Sequence, residues 1–257
     1  MAERHKPFPA AKQDESQRSI AMIKTILFDL DGTLLPMDQD VFVKSYFGRL
    51  AKKAAPYGYE TGRLVSVIWK GTEAMVKNDG SALNEEVFWE VFAENYGSEA
   101  LKDKAVFDEF YEKEFQEVAS DCGCNPKAKQ TVSLIKEKGY RTVLATNPIF
   151  PAVATESRMR WAGFQPEDFE YYTTYENSCH SKPNPAYYRD ILDRIGCEPS
   201  ECLMVGNDVT EDMVAESLGM KVFLLTDCLI NSGDADISTY PNGSFDDLMD
   251  YIKTLEA

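Results

Sequence analysis

Short apolar segments alternate with helix-like segments in the second half of the chain, and this alternation constrains the fold more than any other feature of the sequence. The strand-like segments are short runs rich in apolar residues, at Tyr140–Ala145, Cys202–Val205 and Lys221–Leu225. Helical patterns precede or separate them, and each ends close to a glycine, at 126–138, 152–161, 186–195 and 211–218. Buried apolar strands joined by helices are typical of a parallel sheet, so we predict an α/β fold with helices on both faces of the sheet.

One strand-like segment, Lys24–Leu30, lies far from the others along the chain. Between it and residue 123, apolar residues recur at helical spacing, and no strand-like alternation interrupts them. We therefore predict an α/β core formed by residues 21–38 and 123–257, interrupted by a helical insert at 39–122. Residues 1–20 are polar and lack the apolar segment of a secretory signal, so they are interpreted as a flexible leader.

The balance of charge argues against two classes of partner. Acidic residues outnumber basic ones, 43 against 27, and the formal net charge is −16. Binding to nucleic acid or to an anionic membrane surface needs a basic face, so neither is expected.

The longest apolar runs are far shorter than the roughly 20 residues of a membrane-spanning helix. Six cysteines are too few for a disulfide scaffold in 257 residues, which favours reduced thiols and a cytoplasmic protein.

Polar residues that suit phosphate or a hard cation follow several of the predicted strands. They are Asp29, Asp31 and Thr33 after the first strand, Thr146 and Asn147 after the second, and Asn207, Asp208 and Asp212 after Cys202–Val205, with Lys182 before a later helix. Ligands of open parallel sheets bind outside the carboxyl ends of the strands, where these residues are expected to meet. Several carboxylates at close range repel one another unless a cation compensates them, and Mg²⁺ prefers such oxygen ligands.

This collection of residues predicts phosphoryl transfer through a carboxylate. Asp29 needs no base to deprotonate it at neutral pH, so it can attack phosphorus and form an aspartyl-phosphate. Asp31 would protonate the leaving alcohol and then activate water. Lys182 would offset the charge that builds up during the reaction. The phosphate oxygens would be held by Thr33, Thr146 and the backbone N–H of Asn147.

Four motifs together resemble the haloacid dehalogenase-like hydrolase superfamily, and they occur in that family's order. They are Phe28–Leu34, Leu144–Asn147, Lys182-Pro183, and Gly206-Asn207-Asp208 through Asp212. The resemblance implies a Rossmann-like core and a metal held by the Asp29 carboxylate, the Asp31 backbone carbonyl and an acidic group of the fourth motif. It also implies that the helical insert is similar to the mobile cap of phosphoglycolate phosphatase-like members, which closes over the site and selects substrate.

The fourth motif departs from the family pattern at one position. Family members usually have Asp directly after the motif's glycine, whereas this chain has Asn207 followed by Asp208. Alignment alone points to Asn207 as the metal ligand, through its amide oxygen, but the need for negative charge favours Asp208, and on that ground we favour Asp208. Asp212 is expected to support the metal indirectly.

The function predicted from these residues is Mg²⁺-dependent hydrolysis of a small phosphorylated metabolite. A phosphomutase would retain the same groups, and a regulatory phosphoacceptor would also use an Asp, a Thr and a Lys around Mg²⁺. A dehalogenase on this fold would use Asp29 but would need neither Asp31 nor a metal. In the insert, conceivable substrate contacts are Lys44, Arg49, Trp69 and Lys70, but each is more typical of a surface or a core, so none of them is predicted as a contact.

Overall fold

The computed structural model describes residues 22–255, so the predicted leader at 1–20 lies outside the described residues. The strands are β1 Thr25–Phe28, β2 Arg141–Leu144, β3 Tyr171–Tyr172, β4 Cys202–Gly206, β5 Lys221–Leu225 and β6 Asn242–Gly243. The α-helices are α1 Gln39–Ala54, α2 Thr61–Val76, α3 Asn84–Tyr96, α4 Lys104–Glu112, α5 Pro126–Glu137, α6 Ala152–Trp161, α7 Pro185–Ile195 and α8 Phe245–Leu255. Within this part of the chain, no helix is both long and apolar enough to cross a membrane.

All six strands run parallel in one sheet with the order β3-β2-β1-β4-β5-β6. This order confirms the predicted Rossmann-like parallel sheet. Within the sheet, β2 and β3 lie on one side of β1, and β4, β5 and β6 lie on its other side. Phe28 at the end of β1 pairs with Leu144 of β2 and with Val205 of β4. The loops that follow these three strands therefore begin side by side, at the position where such sheets bind ligands.

Helices cover both faces of the sheet because successive side chains of a strand point to opposite faces. Ile26 and Phe28 of β1 belong to a core that includes Val132 of α5 and Leu248 of α8. Leu27, between them, belongs to the opposite core with residues of α7 and the loop after β4. The strands are buried on both faces, which explains why they read as continuous apolar runs.

Helices α1 to α4 lie between β1 and β2 and form a separate core of their own, as the apolar spacing predicts. Their aromatic side chains pack edge to face in several pairs, among them Phe92 with Phe107 and Tyr46 with Phe115. This core also includes Ala154 of α6, so the insert packs on the loop and helix that follow β2. The insert thereby lies beside the carboxyl end of the sheet.

Several details of the predicted elements are wrong. The predicted helix at 211–218 is instead a 3-10 helix at Met213–Leu218, because Asp208 accepts the backbone N–H groups of Thr210 and Glu211 in a tight turn. Within the predicted helical insert, α4 ends at Glu112, and the segment that follows at Glu114–Asp121 is a 3-10 helix. The remaining 3-10 segments are Ala55–Tyr57, Ser98–Asp103, Pro166–Asp168, Pro199–Glu201 and Ile237–Thr239. The prediction also missed β3, β6 and α8.

Helices α2 and α3 approach closely at Gly71, and this contact gives a stability prediction. A Cβ atom at Gly71 would lie 2.6 Å from the Phe88 ring, whereas a Cβ at Gly48 of α1 would meet nothing within 4 Å. We expect Gly71→Ala to lower the free energy of unfolding by about 1–3 kcal/mol through overpacking. Gly48→Ala is the matched control and should raise it by about 0.5–1 kcal/mol. Urea denaturation measures both, and an equal effect of the two variants would contradict the packing argument.

Candidate active site

A fully buried lysine joins the two predicted acidic motifs at the strand ends. Lys182 is 0% exposed, and its Nζ lies 2.8 Å from Asp29 Oδ1 and 2.6 Å from Asp212 Oδ1. Burial favours the neutral amine, but the charges of Asp212 and Asp29 outweigh it and raise the pKa of Lys182 well above its usual range. Lys182 therefore remains a cation that compensates two carboxylates.

Asp212 occupies space that exists because residue 206 is glycine. A Cβ atom at Gly206 would collide with the Asp212 carboxyl group. Asp212 Oδ2 also accepts the backbone N–H of Asp208 at 2.9 Å, which ties the carboxyl to the loop after β4. Burial raises the pKa of Asp212 to about 6, although the ion pair with Lys182 opposes that shift.

Asp31 has a different environment from Asp29, because a buried arginine lies beside it. Arg158 of α6 is 1% exposed, forms an ion pair with Asp31, and its guanidinium carbon lies 4.4 Å from the centre of the Phe150 ring. The Asp31 side chain is 23% exposed, but its Oδ1 is buried and has no hydrogen-bond partner. Burial raises the pKa of Asp31, Arg158 opposes the shift, and the nearby Asp29 adds to it. Asp31 therefore holds a proton more readily than a solvated aspartate does.

Sequence reasoning missed Arg158, although the helical spacing contains a signal. Arg158 follows Ala154 by one turn of α6 and precedes Ala162 by another, and both alanines are buried. It therefore lies on the face of the helix that packs inward, where an unpaired charge would be costly. A cation on such a face predicts a buried anionic partner, but the spacing does not identify Asp31 as that partner.

The two candidate metal ligands of the fourth motif make different contacts. Asn207 is buried, its Oδ1 accepts the Thr33 hydroxyl at 2.9 Å, and its Nδ2 donates to the Cys228 carbonyl at 2.6 Å. A Cβ atom at Gly32 would collide with the Asn207 side chain, so this amide lies directly against the turn that contains Asp31. Asp208 Oδ1 instead accepts two backbone N–H groups of its own loop.

Residues after β2 complete this group of side chains and add an unpredicted carboxyl group. Thr146 is buried, and its carbonyl oxygen accepts the hydroxyl groups of Thr173 and Tyr187. Asn147 Nδ2 donates to both carboxyl oxygens of Glu211 at 3.1 Å, and its buried Oδ1 has no hydrogen-bond partner. Burial raises the pKa of Glu211 to about 7. Glu211 is not among the site residues predicted from the sequence. Its position directly before Asp212 in the acidic motif is the one sequence signal that could have identified it.

A cavity of about 370 Å³ opens between the strand ends and the helical insert. Seven predicted site residues line it, together with Glu211: Asp29, Asp31, Thr146, Asn147, Asn207, Asp208 and Asp212. The other two contact the site without lining the cavity, since Thr33 donates to Asn207 and Lys182 pairs with the buried carboxylates. His180 also lies outside the cavity lining and has its Nδ1 2.7 Å from Asp190 Oδ2.

The donor atoms of the cavity fit a hard divalent cation. Five carboxyl groups and three amide side chains line it, and oxygen is the donor that Mg²⁺ prefers. Two buried oxygens, Asp31 Oδ1 and Asn147 Oδ1, have no hydrogen-bond partner within the protein. Buried oxygens of this kind normally have a partner, so the site is suited to a cation or to a ligand that donates hydrogen bonds.

A family model described as haloacid dehalogenase-like hydrolase matches residues 23–218, which is more than half of the chain. A phosphoglycolate phosphatase of Vibrio vulnificus strain YJ016 is 24% identical over 208 residues, covering 79% of this chain and 84% of that protein. The pyrophosphatase PpaX of Bacillus velezensis is 29% identical over 92 residues, so the alignment spans 36% of this chain and 41% of that protein.

The fold also matches a solved structure titled 2-haloacid dehalogenase, from Pseudomonas syringae pv. Tomato DC3000. The TM-score is 0.60 at 18% sequence identity, and the match covers 92% of this chain and 100% of that one. At this identity the likeness extends to the fold alone, because one fold hosts many activities.

Removal of the buried cation should destabilise the protein in a pH-dependent way. We expect Lys182→Met to lower the free energy of unfolding by about 3–5 kcal/mol at pH 7.5, because it leaves two buried carboxylates unpaired. Lys182 lowers the pKa of Asp212, so in the variant that pKa rises beyond about 6 and protonation at pH 5 relieves part of the loss. Urea denaturation with EDTA at both pH values measures the difference.

Lys127→Met is the matched control, since Lys127 is exposed and pairs with Asp246 on the surface. A surface pair contributes little to stability, so this variant should unfold nearly as the parent does. A loss for Lys182→Met that is equally small, or equal at pH 5 and pH 7.5, would contradict the compensating role of Lys182.

Proposed function

We propose that this phosphatase, which belongs to the haloacid dehalogenase-like hydrolase family, cleaves small phosphomonoesters with Mg²⁺ bound, through attack of the Asp29 carboxylate on phosphorus. One observation carries the proposal: two carboxyl groups two residues apart line the same cavity with different buried partners, Lys182 for Asp29 and Arg158 for Asp31. Burial raises the pKa of Asp31 although Arg158 opposes the shift. Carboxyl groups differentiated in this way supply a nucleophile and a proton donor in the same site.

In the first step, Asp29 attacks phosphorus. Its Oδ1 accepts a hydrogen bond from Lys182, which orients the carboxylate and leaves Oδ2 to form the new bond. The bond from phosphorus to the alcohol oxygen breaks, and that oxygen takes the proton of Asp31. The products of this step are the free alcohol and an aspartyl-phosphate on Asp29.

In the second step, water attacks the phosphorus of the aspartyl-phosphate. Asp31, now ionised beside Arg158, takes a proton from that water. The bond between Asp29 and phosphorus breaks, inorganic phosphate leaves, and both carboxyl groups return to their starting states. Arg158 is a positioning residue in this scheme, because its guanidinium group can orient Asp31 through an ion pair when the carboxyl is ionised and through a hydrogen bond when it is protonated.

Mg²⁺ would be held by the Asp29 carboxylate, the Asp31 backbone carbonyl and a residue of the fourth motif. When bound, it neutralises phosphate oxygens that the surrounding carboxylates would otherwise repel. We propose Asn207 as the third ligand, because its amide lies against the turn at Gly32, whereas one Asp208 oxygen already accepts two backbone N–H groups. Thr146 and the backbone N–H of Asn147 would bind the remaining phosphate oxygens.

We also propose that the substrate is a small phosphorylated metabolite and that the protein works in the cytoplasm. The names of its relatives support a phosphate-containing substrate. The six cysteines are free thiols, which is the usual state in a reducing compartment.

The nucleophile assignment is tested by removing one oxygen from Asp29. We expect Asp29→Asn to lower kcat for p-nitrophenyl phosphate at least about 1,000-fold, because an amide cannot form the acyl-phosphate. Asp40→Asn makes the same chemical change at an exposed position at the start of α1 and should leave kcat near the parent value. Undiminished hydrolysis by Asp29→Asn would show that another group attacks phosphorus.

The metal proposal is tested by titrating Mg²⁺ into protein treated with EDTA. Activity should be lost with EDTA and return with Mg²⁺. Asn207→Asp should lower the half-saturating Mg²⁺ concentration by about tenfold, because it adds one negative charge at the proposed ligand. Asp208→Asn should change it little, and the opposite ranking of these two variants would assign the ligand to Asp208.

A further inference from the structure

From the wall that the helical insert contributes to the cavity, we infer that this phosphatase selects monoesters of apolar alcohols, aromatic or aliphatic, that carry no second anionic group. The inference rests on the proposed function and names the substrate class of the same site. The residues that support it line the part of the cavity that would contain the alcohol, away from the carboxylates and from the residues proposed to bind phosphate.

A continuous row of aromatic rings leads from the strand ends to the surface. Phe150, in the loop after β2, has its ring centre 5.6 Å from that of Tyr46. Tyr46 lies 4.9 Å from Phe47, and Phe47 lies 5.6 Å from Trp69. Trp69 is 50% exposed, so the row ends at the surface of the insert. All four rings line the cavity.

The rest of the insert side is apolar or uncharged. Other apolar side chains on this side are Met37, Phe42, Ile68, Val76 and Phe88. The insert's polar side chains at the cavity carry no charge: they include Gln39, Thr72 and the hydroxyls of Tyr46 and Tyr111, which lie 2.9 Å apart. A volume of about 370 Å³ lies in the range of ligand cavities, and such a lining favours an apolar group by removing its surface from water.

Within residues 22–255, the cavity lining includes no lysine, arginine or histidine, although it includes five carboxyl groups. Two of the insert's three candidate cations are engaged elsewhere, since Arg49 donates to Ser45 and Glu117, and Lys70 donates to Asn95. The third, Lys44, does not line the cavity. The buried Arg158 is paired with Asp31. A carboxylate or second phosphate on the substrate would thus find no cationic partner and would face the acidic groups at the strand ends.

The chemistry predicts a dependence of kcat/KM on chain length for alkyl phosphates. Ethyl, butyl and hexyl phosphate have leaving alcohols of similar acidity, so they differ mainly in apolar surface. With Mg²⁺, we expect kcat/KM to rise about threefold to fourfold per methylene, or about 100-fold from ethyl to hexyl phosphate. Isobutyl phosphate and 2-phosphoglycolate form a matched pair of similar shape, and the uncharged ester should be preferred by at least about 100-fold.

Truncation of the aromatic row tests whether it produces this selectivity. Trp69→Ala and Phe47→Ala should each lower the ratio of kcat/KM for hexyl over ethyl phosphate by about tenfold. Tyr57→Ala is the matched control, because Tyr57 is an exposed aromatic residue of the insert outside the cavity lining, and it should leave the ratio unchanged.

The possible outcomes separate this inference from the proposed function. A ratio that does not rise with chain length, or a preference for 2-phosphoglycolate, overturns the inference while the phosphatase mechanism stands. A rise that persists in both truncation variants also overturns it, because the selectivity would then come from elsewhere. Failure to hydrolyse any of these esters with Mg²⁺ contradicts the proposed function, and the inference is rejected with it.

Discussion

The ion pairs of Lys182 with Asp29 and Asp212 are the interaction on which the rest of the site depends. Two carboxylates at the ends of neighbouring strands could not remain buried together without a compensating charge. Lys182 supplies that charge from a position with no exposure, so it does not compete with a ligand for the cavity. Space for the arrangement comes from Gly206, where a side chain would displace Asp212.

The two aspartates of the first motif, Asp29 and Asp31, have different buried cations as partners. Asp29 faces a buried ammonium group, and Asp31 faces a buried guanidinium group while one of its oxygens lacks any partner. Desolvation dominates at Asp31 and raises its pKa, which supports the proposed roles of Asp29 as nucleophile and Asp31 as proton donor. Arg158 belongs to α6, which also packs on the insert core through Ala154, so the partner of Asp31 lies on a helix that contacts both the insert and the sheet.

The helical insert supplies the part of the cavity that the sheet lacks. The sheet contributes mainly carboxyl, amide and hydroxyl groups, whereas the insert contributes aromatic rings and uncharged polar groups. A phosphate ester has the same two parts, one highly charged and one set by its alcohol. The division of the lining between sheet and insert therefore matches the division of the substrate that we propose.

The sequence by itself determined the parallel sheet, the position of the insert and most of the residues that meet at the strand ends. These depend on local signals, namely apolar runs, glycines after helices and polar residues directly after strands. β3 and β6 have two residues each and are too short for any periodicity. Only the tertiary structure decided that Arg158 pairs with Asp31, 127 residues away, and which insert aromatics line the cavity. Helical spacing marks a side chain as facing inward, but the packing of distant segments determines whether it meets a core or a cavity.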